Sequence, residues 1–305
     1  MAPVKAFRMR RLFTVLSITG GYCELNCSHC RAKYIRSMLP APGPRLPRIL
    51  DALARRGVRG LLVSGGWRRD GTLPVEPYLD ALHEAKKRHR LVYNVHLGLH
   101  TSRELLARAK EVFDVVDYEF TLSKWLAHEV RRLPRGPRLY LEALDVMLDA
   151  GLHVVPHVFL WHPASSLELL REELRALEDR GLREVNLLVY IPPEGDIDSA
   201  TAAKLPDLLR QARSLWPHRL YLGCMRPRSA RATLDPVAID EGLVERIANP
   251  SLKTTKLYKD KLVFYDACCS LPEQVLPSFG PVEGGRDGSR AGIRTPVTGA
   301  RAPHR

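Results

Sequence analysis

Gly21-Tyr22-Cys23-Glu24-Leu25-Asn26-Cys27-Ser28-His29-Cys30 sets three cysteines at C-x3-C-x2-C spacing, directly after the apolar, strand-like run Leu12–Thr19. This spacing lets one short loop wrap a cubic iron–sulfur cluster and offer thiolates to three of its four irons. The fourth iron then has no ligand from the loop. An iron left open binds a small molecule, which a fully ligated electron-transfer cluster does not readily do. The competing reading is a structural zinc site built from the same three cysteines and a histidine.

Outward from this loop, strand-like runs alternate with amphipathic stretches. The apolar runs are Leu12–Thr19, Gly60–Val63, Leu91–Leu97, Val115–Leu122, His153–Trp161, Val185–Ile191 and Arg219–Leu222. Between them lie helix-like segments at Leu46–Arg56, Val75–His89, Ser102–Val112, Arg138–Ala150, Leu167–Arg180 and Lys204–Trp216. Thr101 with Glu104 and Ser165 with Glu168 read as capping boxes, and Gly57 and Gly151 as helix stops. Serial βα units predict an α/β protein with parallel strands and outer helices, as a barrel or an open sheet. In both, the working face is at the C-terminal ends of the strands, where the cysteine loop follows the first strand. Further on, Val237–Ile247 reads as helix and Lys261–Tyr265 as strand.

The second strand ends in Val63-Ser64-Gly65-Gly66-Trp67. Alone, this is a tight turn that uses glycine's freedom. One βα unit after the cysteine loop, it makes the chain resemble the radical S-adenosylmethionine (SAM) superfamily. The resemblance implies a partial (β/α)6 TIM-type barrel over residues 1–200, with a C-terminal extension over 201–278 that closes it. It implies a 4Fe–4S cluster on Cys23, Cys27 and Cys30, with the open iron chelated by the amino and carboxylate groups of SAM. Ser64, Gly65 and Gly66 would turn backbone carbonyls to the methionyl amino group, with Trp67 where an acidic residue is usual. His29 stands where most members carry an aromatic residue near the adenine. Asn94, His96 and Glu119 become cofactor-binding candidates for the ribose hydroxyls and carboxylate, with Ser123 and His157 as further polar strand-end residues. Leu187–Pro192 resembles the strand that flanks the adenine.

Within that superfamily the chain resembles the archaeal-type two-component lipoyl synthases, related to biotin synthase. The residues concerned are Val63–Gly66 followed by Arg69 and Pro74, then Gly223-Cys224-Met225-Arg226-Pro227, then Asp266-Ala267-Cys268-Cys269-Ser270. This resemblance implies sulfur insertion into an octanoyl group held on a protein lysine. It also implies an auxiliary iron–sulfur cluster on Cys224, Cys268 and Cys269. Its expected partners are an octanoylated acidic carrier protein as substrate, a second radical SAM subunit and an electron donor such as ferredoxin. On their own, the three late cysteines read equally as small buried apolar residues. Adjacent side chains on an extended strand point opposite ways, so one of Cys268 and Cys269 is expected to be a bystander. The competing functions are a radical SAM reaction without sulfur insertion and a non-catalytic iron–sulfur electron carrier.

The chain has 305 residues, six cysteines and a formal charge of +13. So few cysteines, three of them in one loop, do not make a disulfide scaffold, and a reducing cytoplasm is expected. No apolar run has the length of a membrane span, and Lys5–Arg11 before Leu12–Ile18 imitates a signal peptide but is read as leading into a strand. No RNA-binding motif accompanies the positive charge, which fits an acidic partner or a solvated Arg-rich surface rather than nucleic acid. From about Phe279 the composition turns to Gly, Arg, Pro and Thr, and the tail 279–305 is expected to be disordered and dispensable.

Overall fold

The computed structural model describes residues 3–282. The expected tail, apart from its first residues 279–282, lies outside the described residues. The described residues form eleven strands: β1 (Val4–Phe7), β2 (Phe13–Ser17), β3 (Leu39–Pro40), β4 (Gly60–Ser64), β5 (Val92–Val95), β6 (Val115–Glu119), β7 (Val154–Trp161), β8 (Glu184–Val189), β9 (Arg219–Leu222), β10 (Arg246–Ala248) and β11 (Leu262–Tyr265). They make one sheet in the order β11-β1-β10-β9-β8-β7-β6-β5-β4-β2-β3, with every pair parallel. The principal helices are α1 (Leu46–Arg55), α2 (Leu79–His89), α3 (Arg103–Val112), α4 (Arg138–Asp149), α5 (Leu167–Glu178), α6 (Ser199–Leu215), α7 (Arg228–Asp240) and α8 (Leu252–Leu257).

The α/β class and all eight expected strands are present, but the described residues hold eleven strands rather than the six of a (β/α)6 barrel. Of the three surplus strands, β3 and β10 have only two and three residues, too short for a period to show in sequence, and β1 (Val4–Phe7) adjoins the basic run that follows it. Val237–Ile247 is not one helix. It leaves the helix after Asp240, turns through Gly242 at φ +61° and continues into β10. The caps are one residue later than the capping boxes predict. Ser102 Oγ accepts from Leu105 N at 3.3 Å and Ser166 Oγ from Leu169 N at 3.1 Å. The helices start at Arg103 and Leu167, so Thr101 and Ser165 fall outside the cap position. Gly57 and Gly151 take φ of +87° and +73°, as helix stops do.

Period two along the strands decides what faces inward. On β6, Val116 and Tyr118 belong to the large core shared with the helices, whereas Val115 belongs to a second cluster. That second cluster joins Phe7 of β1, Phe13 of β2, Leu62 of β4, Val155 of β7 and Ala248 of β10. Strands so far apart in the order meet only because the sheet curls around a shared interior, as in a half-barrel. The helices bury single stripes against the outside, such as Leu46, Leu50 and Leu53 of α1.

The segment after β11 enters that interior. Ala267, Cys269, Leu271, Leu276 and Phe279 join the inner cluster. Asp266 pins the segment by accepting from the backbone amides of Arg10, Arg11 and Leu12 at 2.6, 2.8 and 2.9 Å. The expected tail therefore starts too early. Phe279 is fully buried, and Val282 N donates to Phe264 O at 2.8 Å. Among the described residues no helix is long and apolar enough to cross a membrane.

Candidate functional site

The cysteine loop leaves β2 and lies on the end of β4. Thr19 Oγ1 makes the first tie, donating to Tyr22 O at 2.9 Å and accepting from Gly66 N at 2.6 Å. Trp67 makes the next. Its carbonyl accepts from Glu24 N at 2.9 Å and Leu25 N at 3.3 Å, and its amide donates to Cys23 Sγ at 3.4 Å. Gly66 permits this approach, because a β-carbon there would lie 2.5 Å from Cys23 Cα. Asn26, Arg31 and Ala32 all hold positive φ, of 38°, 44° and 59°. Three such residues around Cys27 and Cys30 are a strained backbone held for a purpose.

Cys27 is buried, and Cys23 and Cys30 are partly exposed. A hydrogen bond from Cys27 lowers the Cys30 thiol to about 7, while Cys27 itself is raised by that bond and by burial. Beneath the loop lies Arg131, 5% exposed, whose Nε donates to Glu119 Oε1 at 2.8 Å and whose Nη2 pairs with Oε2. Its Nη1 stands 3.0 Å from His29 Nδ1. Burial pushes the Glu119 carboxyl up, but Arg131 outweighs it and holds the group below its usual range. Burial, then the Arg131 charge, lowers His29 to about 4, so its ring is neutral and accepts. His29 also approaches Tyr190, with ring centroids 5.6 Å apart, and Tyr190 meets Trp125 edge-on at 5.3 Å.

The inward ends of the strands enclose a cavity of about 160 Å³, lined among others by His96, Asp117, His157, Cys224, Cys268 and Cys269. All three late cysteines therefore face one space. Cys268 and Cys269 do not alternate as on an extended strand, because the chain leaves β11 at Tyr265 and turns through both of them. Asn186 Nδ2 donates to Cys269 Sγ at 3.2 Å, and Cys268 Sγ stands 3.6 Å from Asp117 Oδ2. A hydrogen bond from Cys268, then one from Asn186, lowers the Cys269 thiol to about 6. Cys224 is open to the cavity yet walled by protein, and desolvation raises its thiol to about 11.

The sequence-predicted cofactor residues divide between these two places. Ser64 Oγ is 3.0 Å from His96 Nδ1, and Asn94 Nδ2 donates to Asp117 Oδ2 at 3.1 Å, so each backs a residue that lines the cavity. Glu119 is committed to Arg131, between cavity and loop. Gly65 packs on Thr19 and Leu73, and Ser123 is a cap, its Oγ accepting from Leu126 N at 3.2 Å. Thr19, Arg131 and Asp117 are functional neighbours the sequence reading missed. Asp117 had a signal, since Val115, Asp117 and Glu119 alternate on one strand face. Arg131 had none, because it reaches the loop from the irregular turn after a π-helical stretch, Trp125–Val130.

Among the described residues no three His, Cys, Asp or Glu side chains converge on one point as they would around a single ion. A cubic cluster spreads its thiolate ligands over the corners of a cube, and three thiols on one loop at the strand ends match that donor chemistry.

No family model matches the sequence, and no curated relative does. The fold, however, is shared with solved structures. SuiB of Streptococcus suis bound to S-adenosylmethionine matches with a TM-score of 0.52 and 15% identity, over 82% of this chain and 49% of that one. Methylornithine synthase (PylB) matches with a TM-score of 0.54 and 14% identity, over 78% of this chain and 72% of that one. The chain thus spans about half the length of SuiB. At these identities the likeness is one of fold: an α/β chain whose parallel sheet curls around an interior, with its polar residues at the strand ends.

Proposed function

We propose that the chain is a radical SAM enzyme. The observation that carries the reading is the seating of the Cys23–Cys30 loop on Gly66 and Trp67, which places three thiols beside a glycine turn at the strand ends. Cys23, Cys27 and Cys30 would hold a 4Fe–4S cluster. When bound, the cluster and SAM supply one-electron cleavage chemistry that takes hydrogen from an unactivated carbon. The chain's own residues do the rest. Trp67 fixes Cys23 by its amide and the loop backbone by its carbonyl. Arg131 sets a buried positive charge under Cys27, which opposes, without outweighing, the Cys30 hydrogen bond and burial that raise that thiol. The curled sheet surrounds the interior on one side, which shelters a reactive species there from side reactions.

The finer reading is sulfur insertion into a protein-bound octanoyl group. It is supported by three cysteines facing one cavity whose other walls include Phe7, Met9, Leu62, Leu188 and Met225. Such walls suit an alkyl chain, and the cysteines suit an auxiliary cluster as sulfur source. An acidic carrier protein, a second radical SAM subunit and a ferredoxin-type donor in a reducing cytoplasm complete this reading, and the surplus positive charge favours acidic partners.

The test is anaerobic reconstitution, then incubation with SAM and dithionite. Cys27→Ala should abolish formation of 5′-deoxyadenosine, and normal yield from the folded variant would overturn the superfamily reading. Adding an octanoylated carrier, followed by mass spectrometry, tests sulfur insertion separately.

A further inference from the structure

We propose that Asp117 is a direct oxygen ligand to the iron–sulfur cluster held by Cys224, Cys268 and Cys269, completing a set of three thiolates and one carboxylate. The inference rests on the reading of those cysteines as ligands given above.

Asp117 lies on the inward face of β6, 5% exposed. Its Oδ2 accepts from Asn94 and stands 3.6 Å from Cys268 Sγ. Its Oδ1 is buried with no hydrogen-bond partner. Its ionic neighbour is His96, with Nε2 at 3.8 Å. The guanidiniums near the cysteines are engaged elsewhere: Arg131 by Glu119, Arg246 by the Cys269 and Leu271 carbonyls, and Arg226 by the Gly223 and Ala248 carbonyls. The other ionisable groups facing this space are His157 from β7, Glu119 from β6 and the three cysteines.

A buried carboxylate with one bare oxygen carries a desolvation penalty that a protein ordinarily relieves with donors or a cation. Here Oδ2 takes the Asn94 amide and, at 3.6 Å, the Cys268 thiol, while Oδ1 has neither donor nor cation. A cationic, thiophilic group would engage Oδ1 and the neighbouring thiols together. The Asn94 bond to Oδ2 orients the carboxylate and leaves Oδ1 as the free donor, the arrangement in which a neighbouring side chain aims a metal ligand. Asn186 does the same for Cys269. The late pair supplies two thiols and β9's end a third, so the fourth corner falls to a group on the facing strands, where Asp117 is the ionisable oxygen in contact with a late cysteine.

The experiment uses the full chain carrying Cys23→Ala, Cys27→Ala and Cys30→Ala, reconstituted anaerobically with iron and sulfide, so that only the interior site is read. Retention of about four irons per chain is expected. Mössbauer spectra of this protein, with Asp117 intact, should show one iron subsite of distinctly higher isomer shift, the mark of an oxygen ligand among thiolates. Asp117→Cys should keep the iron and remove that subsite. Asp117→Ala should lose the corner iron, leaving about three per chain with the EPR signal of a three-iron cluster. Four all-sulfur irons in the protein with Asp117 intact, or an Asp117→Ala spectrum unchanged from it, would overturn the ligand assignment alone. No iron in the protein lacking the three loop cysteines would overturn the second cluster and this inference with it, while leaving SAM cleavage by the wild type to be judged separately.

Discussion

A β-carbon on Gly66 would stand 1.8 Å from the carbonyl oxygen of Tyr22, so the cysteine loop and the end of β4 meet backbone to backbone. Neither group is the tip of a flexible side chain that swings away. Gly66→Ala should therefore cost about 1–3 kcal/mol by overpacking and displace the loop. The expected outcome is a loss of iron bound at the loop after reconstitution, with far-UV circular dichroism unchanged. Gly65→Ala, whose β-carbon would meet the Thr19 side chain at 2.9 Å, should be milder by both measures.

The Glu119–Arg131 pair gives a test in acid. The Glu119 carboxyl is lowered in the fold because Arg131 outweighs its burial. Its contribution to stability is thus fully present above the ordinary carboxylate range and is lost as pH falls through the lowered folded value. Arg131→Met leaves Glu119 buried and unpaired, which should cost about 3–5 kcal/mol at neutral pH. Denaturant melts from pH 7 downward should show the variant and wild type converging as Glu119 protonates.

Glu173 of α5 should behave in the opposite sense. It is 2% exposed, accepts from Thr121 Oγ1 at 2.8 Å and Leu122 N at 2.7 Å, and is raised by burial to about 7. A raised carboxyl stabilises the fold below the unfolded value, and that stabilisation is lost as pH climbs through the folded one. Between about pH 4.5 and 7 the wild type should lose about 3 kcal/mol that Glu173→Gln does not lose. Parallel pH–stability curves for the two proteins would refute this.

Phe279 anchors the last described segment to the body of the fold. It is fully buried and meets the Phe13 ring edge-on, with centroids 5.8 Å apart. Phe279→Ala should cost about 3–5 kcal/mol, whereas Val282→Ala, at 37% exposure, should cost well under 1 kcal/mol. Thermal melts of the two variants check the difference.

Much of this was legible in the sequence because β2 and β4 to β9 are long enough to show as apolar runs and are separated by amphipathic helices. Cys23, Cys27, Cys30 and Gly66 were legible because spacing and composition carry their meaning locally. The rest depended on contacts that no local window contains. β1 and β10 are brief and become strands by pairing with each other, Lys5 against Arg246. Cys268 and Cys269 face one cavity because Asp266 turns the chain inward by binding three amides near the N-terminus. Arg131 serves the cysteine loop from a turn a hundred residues distant in sequence.

The place of β1 has a consequence for the order in which the molecule can be assembled. Lys5 is paired with Arg246 on one side and Val263 on the other, so β1 must wait for two partners that lie about 240 residues further along the chain. β2 and β4 to β9 meet no such delay, since each pairs with the next to emerge. The Cys23–Cys30 loop and its Trp67 anchor are thus complete while most of the chain is unmade. The Cys268–Cys269 turn arrives at the end, together with the closing strands. The loop can settle on its anchor early, whereas the interior closes only when β1 finds its slot between β10 and β11. A chain that stops before β10 would keep the Cys23–Cys30 loop seated on Trp67 and lack the Cys268–Cys269 turn.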